Sequence, residues 1–185
     1  MVPALLVGGA ALLAAGCHVP NNLQSPAAGF VGEAAQAPAS PPPACSTALK
    51  LQAPLLQLPR TDVPKQPARD AVDISQIHTV NRPLQEIGVW NNAGDGWSVL
   101  TLQLGSEKAR SLAVRLHAVR LPKNGALWLC SIDGKQHAGP YAEAPNGDLW
   151  SAALAGAQAR IEVWAPTAHR DDFSGLLSDV YGSYR

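Results

Sequence analysis

Charge and sulfur are what this sequence has least of. Only 15% of its 185 residues are Asp, Glu, Lys or Arg, and 14 basic residues balance 14 acidic ones. With no basic cluster anywhere, the electrostatic footprint of a nucleic-acid binder is missing. Three cysteines without a Cys-x-x-Cys pair are too few for a disulfide-stapled scaffold and lack paired metal-ligand spacing. Two Phe beside five Trp predict a few large anchors in place of an evenly aromatic interior. The length of 185 residues fits one domain with ancillary segments and excludes a TIM barrel, a complete trypsin-type enzyme or a Rossmann domain joined to a substrate domain.

Among what is present, Val2 to Gly16 carries no charged side chain and ends in Leu13-Ala14-Ala15-Gly16-Cys17. The run is too short for a transmembrane helix and suits the core of a signal peptide. Small residues let the extended chain enter a peptidase site, and the Cys that follows offers a thiol for diacylglyceryl attachment. The stretch resembles a bacterial lipobox, so residues 1–16 are read as a lipoprotein signal peptide and Cys17 as the lipidation site. An ordinary secretory signal is the alternative. His18 in place of Asp after the anchor implies the outer membrane.

Residues His18 to Thr47 hold one charge, Glu33, among Pro, Ala, Ser, Gly and Asn. Such a composition buries too little apolar surface to offset its ordering entropy, so 17–47 reads as a disordered tether. Export would place Cys45 and Cys130 in an oxidising compartment, where a bridge between them would pin the tether to the folded part. Two unpaired thiols are equally compatible with the sequence. Between 48 and 83, Pro54, Pro59 and Pro64 interrupt Leu51, Leu55, Leu56 and Leu58, which forbids a lasting helix and reads as an extended arm.

From Leu84 onward short alternating runs are separated by turn residues. In Trp97–Leu104, Leu100, Leu102 and Leu104 share one face while Val99, Thr101 and Gln103 share the other. Ser111–Leu121 alternates in the same manner, with Arg115 and His117 pointing away from Leu112, Val114 and Leu116. Further strands are expected near 87–90, 126–132, 148–154, 159–165 and 173–184, with a loop over Asn91–Gly96. The expectation is an all-β fold, a β-sandwich or jelly-roll-like domain over 84–185. Trp150 and Trp164 would form a cross-strand pair.

Four ordered stretches then carry a resemblance. They are Leu51-Gln52-Ala53-Pro54-Leu55-Leu56-Gln57-Leu58-Pro59; Gly96-Trp97 leading to Ala109–Leu116 and Leu121-Pro122-Lys123-Asn124-Gly125; Asp133-Gly134, Gly139-Pro140-Tyr141 and Gly147-Asp148-Leu149-Trp150; and Val180-Tyr181-Gly182-Ser183-Tyr184-Arg185. Together they resemble the non-catalytic N-terminal pro-region of bacterial secreted trypsin-like endopeptidases of the lysyl endopeptidase type. The resemblance implies a module that assists folding of a protease and covers its active site. The nucleophile stretch Gly-Asp-Ser-Gly-Gly does not occur in these residues. The resemblance therefore implies a stand-alone relative acting on a protease or envelope protein in trans, or a truncated precursor.

No catalytic constellation emerges. His78, His117, His137 and His169 are scattered without ligand spacing, so no metal site is expected. Ser174, His169 and Asp171 or Asp172 lie too close in sequence for triad geometry. Asp171 and Asp172 read as a hydrated loop, and Gly94, Gly96 and Gly105 as turns. Trp90, Trp97, Trp128, Trp150 and Trp164 admit two uses, as filler between sheets or as stacking platforms for a surface glycan. Neither an enzyme nor a cofactor is expected.

Overall fold

The computed structural model describes residues 43–59 and 74–184. These belong to one compact unit spanning Ala37–Arg185, whereas the unit Met1–Gln36 lies outside the described residues. The expected signal peptide, the Cys17 lipidation site and the tether as far as residue 42 fall outside them too.

In chain order the strands are β1 (Leu55–Gln57), β2 (Ile74–Pro83), β3 (Val89–Gly94), β4 (Trp97–Gly105), β5 (Ser111–Arg120) and β6 (Ala126–Ser131). They continue with β7 (His137–Tyr141), β8 (Leu149–Trp150), β9 (Leu154–Ala155), β10 (Gln158–Pro166) and β11 (Ser174–Tyr184). One helical turn, α1 (Leu84–Ile87), follows β2 and drives the fully buried Leu84 into the core. Among the described residues no helix is long and apolar enough to cross a membrane.

Two sheets form. Sheet A has the order β1-β4-β10-β6-β7, with β3 also on β4, and sheet B has the order β2-β11-β5-β8, with β9 also on β5. The domain is thus all-β and sandwich-like, as alternation implies: each strand has one apolar face, and two facing sheets bury all of them together. Leu100, Leu102 and Leu104 of β4 and Ile161 and Val163 of β10 meet Leu112, Val114 and Leu116 of β5 in a single cluster. The core stays in phase along β11 because a register shift between Leu177 and Asp179 lets Leu177 and Val180 both point inward; a bulge inserts the extra residue that strict alternation would forbid.

Several expectations need correction. The segment 48–83 is not merely an arm beside the domain. It supplies β1, which pairs parallel to β4, and β2, which pairs antiparallel to β11 along nearly its whole length. Strand β2 shows no clear alternation because from Ser75 to Pro83 only His78 is buried, with Val80 half-buried against the core. Main-chain pairing to its neighbour holds it. Residues 60–73 of the arm lie outside the described residues. At the end of the expected tether, Cys45 is buried, so the domain reaches further back than residue 48.

The strand expected over 148–154 divides into the two-residue β8 and β9. The loop expected at Asn91–Gly96 shrinks to Asp95-Gly96, with φ of 48° and 79°. Positive φ at both positions matches the twist of a two-residue hairpin, and Asp-Gly is among the pairs that accept it.

Candidate functional site

The two sheets present outer faces of opposite character. On sheet A the outer face is covered. Val99 and Thr101 are as buried as the leucines between them, although alternation turns them away from the core. The cover is the first part of the segment 44–58, which we call the strap; its end pairs with the β4 edge and sends Leu58 into the core between the sheets. Ala44, Leu49 and Leu51 pack on Trp97, Val99 and Trp164, with Trp128 at the margin.

Four tethers hold the strap. Cys45 is disulfide-bonded to Cys130 of β6. The Cys45 amide donates to Glu162 Oε2 at 2.9 Å. Further along, the Gln52 amide donates to Asn91 Oδ1 at 2.8 Å while Asn91 Nδ2 returns a bond to the Gln52 carbonyl at 3.0 Å; the Thr101 hydroxyl donates to that carbonyl as well. At the far end the Gln103 amide donates to the Pro54 carbonyl and the Leu58 amide to the Gly105 carbonyl, both at 2.8 Å.

Glu162 is a fully buried carboxylate on β10. Trp164 Nε1 donates to Oε2 at 2.8 Å and Arg160 Nε to Oε1 at 2.8 Å, alongside the Cys45 amide. A buried charge needs such pairing to persist. The Cys45 and Cys130 sulfurs and the Glu162 carboxylate form the one grouping among the described residues that has the donors and spacing for a metal. Its sulfurs are bonded to each other and its carboxylate oxygens already accept three hydrogen bonds, so the chemistry is that of a staple, not a cage.

Sheet B is open to solvent on its outer face. Strand register lines up Thr79, Asp179, Arg115 and Trp150 in one row, and Ile77, Tyr181 and Ala113 in the next. Trp150 is 53% exposed and Ile77 57% exposed. The Arg115 guanidinium carbon sits 4.5 Å from the Trp150 ring centroid, a cation–π contact that fixes the indole. On the same platform the Tyr181 ring lies 5.3 Å from Trp150 at a tilt of 36°. Asp148 orients the group from one end. It pairs with Arg115 Nη2 at 3.8 Å and with His117 Nδ1 in a direct contact. Thr79 donates to Asp179 at 3.0 Å at the other end.

The five tryptophans therefore divide. Trp97 and Trp164, expected as stacking candidates, are 3% and 1% exposed, so neither can meet a ligand while the strap is seated. Trp90 is half-buried edge-on to Phe173, and Trp128 is half-buried against the Trp97–Trp164 cluster. The expected pair of Trp150 with Trp164 does not form, because β8 belongs to sheet B and β10 to sheet A; Trp150 faces Arg115 instead. Of the five, Trp150 alone is exposed.

The histidines remain apart. His78 lies inside sheet B, where Nε2 meets the Tyr184 hydroxyl at 2.8 Å and that hydroxyl meets Ser106 Oγ. Burial holds its pKa below the ordinary histidine value. His169 pairs with Asp172 at 3.2 Å, whereas Ser174 donates to the Ala118 carbonyl at 3.3 Å, so Ser174 and His169 are not engaged with each other. Asp133 is held below the usual carboxylate range by the Ser131 hydroxyl and the Lys135 amide. It borders a shallow cleft between turns that contains no buried charge.

Sequence reasoning missed Glu162, Arg160, Arg115 and Tyr181 as a set. A usable signal existed for the first two. Arg160-Ile161-Glu162-Val163-Trp164 places two opposite charges on one face of an otherwise apolar strand, the pattern of a cross-face pair that something must cover. For Arg115 and Tyr181 no local signal exists, since their meeting depends on the register of three strands.

Comparison of the chain with protein-family models, with curated proteins and with solved structures gives no match. The functional reading accordingly rests on the two faces.

Proposed function

We propose that the chain is a lipid-anchored, non-catalytic binding module, akin to the pro-domains of secreted trypsin-like endopeptidases, that engages a protease or another envelope protein through the outer face of sheet B. The observation that carries this reading is Trp150, exposed on a flat sheet face and braced by Arg115 and Tyr181. Trp, Tyr and Arg are the residues that dominate protein–protein hot spots. Preorientation by Asp148 lowers the ordering penalty on binding.

Ile77 favours a protein over a glycan. An exposed aliphatic side chain beside Tyr181 matches an apolar protein surface, while sugar rings stack on aromatic planes. Cys17 is the proposed anchor, with the outer membrane as the address and the segment up to residue 42 as the spacer that presents the face.

The test uses a purified lysyl-type endopeptidase and the full chain. Binding is expected for the wild type and should weaken by more than about tenfold for Trp150→Ala and for Arg115→Ala, the usual size of a hot-spot loss. Affinity indifferent to both changes would exclude this face. Trp150-dependent retention on polysaccharide with no protease binding would replace the protein partner by a glycan. A reading frame beyond Arg185 that encodes Gly-Asp-Ser-Gly-Gly would place the face in cis, against the chain's own protease. For the anchor, Cys17→Ser should abolish incorporation of a clickable fatty acid; persistence of the label would overturn it.

A further inference from the structure

Sheet A holds the strap in the way a receptor holds a peptide. Its grip is on the main chain: Asn91 clamps both the amide and the carbonyl of Gln52 at 2.8 and 3.0 Å, and Glu162 takes the Cys45 amide at 2.9 Å. The strap's last part adds a strand to the sheet edge as β1, which is β-augmentation within one chain. Selectivity comes from apolar side chains at intervals, Ala44, Leu49 and Leu51 on the Trp97–Val99–Trp164 surface. Between Cys45 and Leu58 every strap residue is half-buried or exposed; Leu58 itself enters the cluster between the sheets, with Leu56 packed against it.

None of these contacts requires strap and sheet to lie on the same molecule. The residues that meet are 39 and 117 positions apart at the Asn91 clamp and at Glu162. We propose that the outer face of sheet A, continued by the β4 edge where Leu58 is seated, is a peptide-acceptor site whose ligand in trans is the Ala44–Leu58 segment of a second copy of this chain. Two copies exchange straps, and Cys45 of each bonds to Cys130 of the other. Complementarity of occupant and site is already displayed by the strap seated in cis, and exchange of an identical element reaches a dimer without new contact chemistry. A strap on the same chain competes with one in trans, so exchange is a property of crowded chains that meet before the bond closes. Each bond forms as two thiols surrender two electrons and two protons to a disulfide oxidant, which departs as two thiols. The proposal does not depend on the reading of sheet B.

The test mixes two full-chain variants that both carry Cys17→Ser. One has Cys130→Ser and supplies the strap thiol; the other has Cys45→Ser and supplies the acceptor thiol. With oxidised glutathione, a thiol-cleavable heterodimer linked Cys45 to Cys130 is expected, about tenfold above the yield when the strap copy also bears Leu49→Asp and Leu51→Asp, as loss of a specific apolar seat implies. Equal yields, or no heterodimer from partners that are folded by near-ultraviolet circular dichroism, overturn the proposal. Should a single-cysteine variant fold poorly, the wild-type chain is oxidised from its reduced state across a wide concentration range. The fraction of covalent dimer joined Cys45 to Cys130 is expected to climb with concentration, and a purely monomeric product at every concentration overturns it.

Discussion

The outer faces of the two sheets obey different physics. Over sheet A a charge lies fully buried at Glu162, compensated by Arg160, Trp164 and the main chain of a strap whose Cys45 is covalently tied down. On sheet B the charges of Arg115, Asp148 and Asp179 stay in contact with water around an exposed indole. In the first case electrostatics belongs to stability, because an unpaired buried charge is severely penalised. In the second it contributes little to folding, because exposed pairs are screened by water; on the proposed reading it orients side chains for a partner. A single domain thus closes one surface and leaves large side chains of the other, Trp150 and Ile77, in water.

The sharpest way to break this contrast is Glu162→Ala. It leaves the half-buried Arg160 without its counter-ion and frees the Cys45 amide, so a loss of about 3 kcal/mol in urea unfolding is expected. A loss below about 1 kcal/mol, the exposed-pair range, would mean that the covered face is not energetically distinct. Next in size is Cys45→Ser with Cys130→Ser. Removing a link between residues 85 positions apart should lower stability by about 2–4 kcal/mol. It should also shift tryptophan emission to the red as water reaches Trp97 and Trp164.

A smaller effect follows from His78. Because its folded pKa is depressed by burial, the unfolded chain binds more protons than the folded one below about pH 6.5, the ordinary value for the free side chain. Stability is therefore complete above that pH and declines as pH falls through the window down to the folded value. His78→Gln should flatten this part of the stability-against-pH curve, and an unchanged slope would remove His78 from the account. The smallest effect is expected on sheet B. Trp150→Ala and Asp148→Asn should each change the unfolding free energy by less than about 1 kcal/mol, while Trp150→Ala weakens binding by more than about tenfold. Should Trp150→Ala destabilise as much as Glu162→Ala, Trp150 is structural and sheet B has no vacant recognition face.

Much of the architecture was legible because β5 alternates along most of its length, residues 100–104 of β4 alternate in residue type, and Asp95-Gly96 marks its hairpin. Legibility failed where main-chain pairing replaced apolar pattern, as in β2, and where Pro-broken sequence joined a sheet edge, as in β1. A mistaken neighbour assignment followed for Trp150, since a strand of two residues carries no information about which sheet it joins. Of the candidate site, the sequence offered the five tryptophans as one class. Exposure divided that class, and exposure is set by which face the strap covers.

Periodicity and turn chemistry by themselves determined that the domain is all-β, with two apolar faces seeking each other, since alternation at period two is a local property of the chain. Tertiary structure alone decided that Cys45 reaches Cys130, that Glu162 is buried under a strap, and that Arg115, Trp150 and Tyr181 meet in the open. Those outcomes depend on strand order and register between residues far apart in sequence; the Arg160–Glu162 pattern signals a charged pair in need of cover but does not say what covers it.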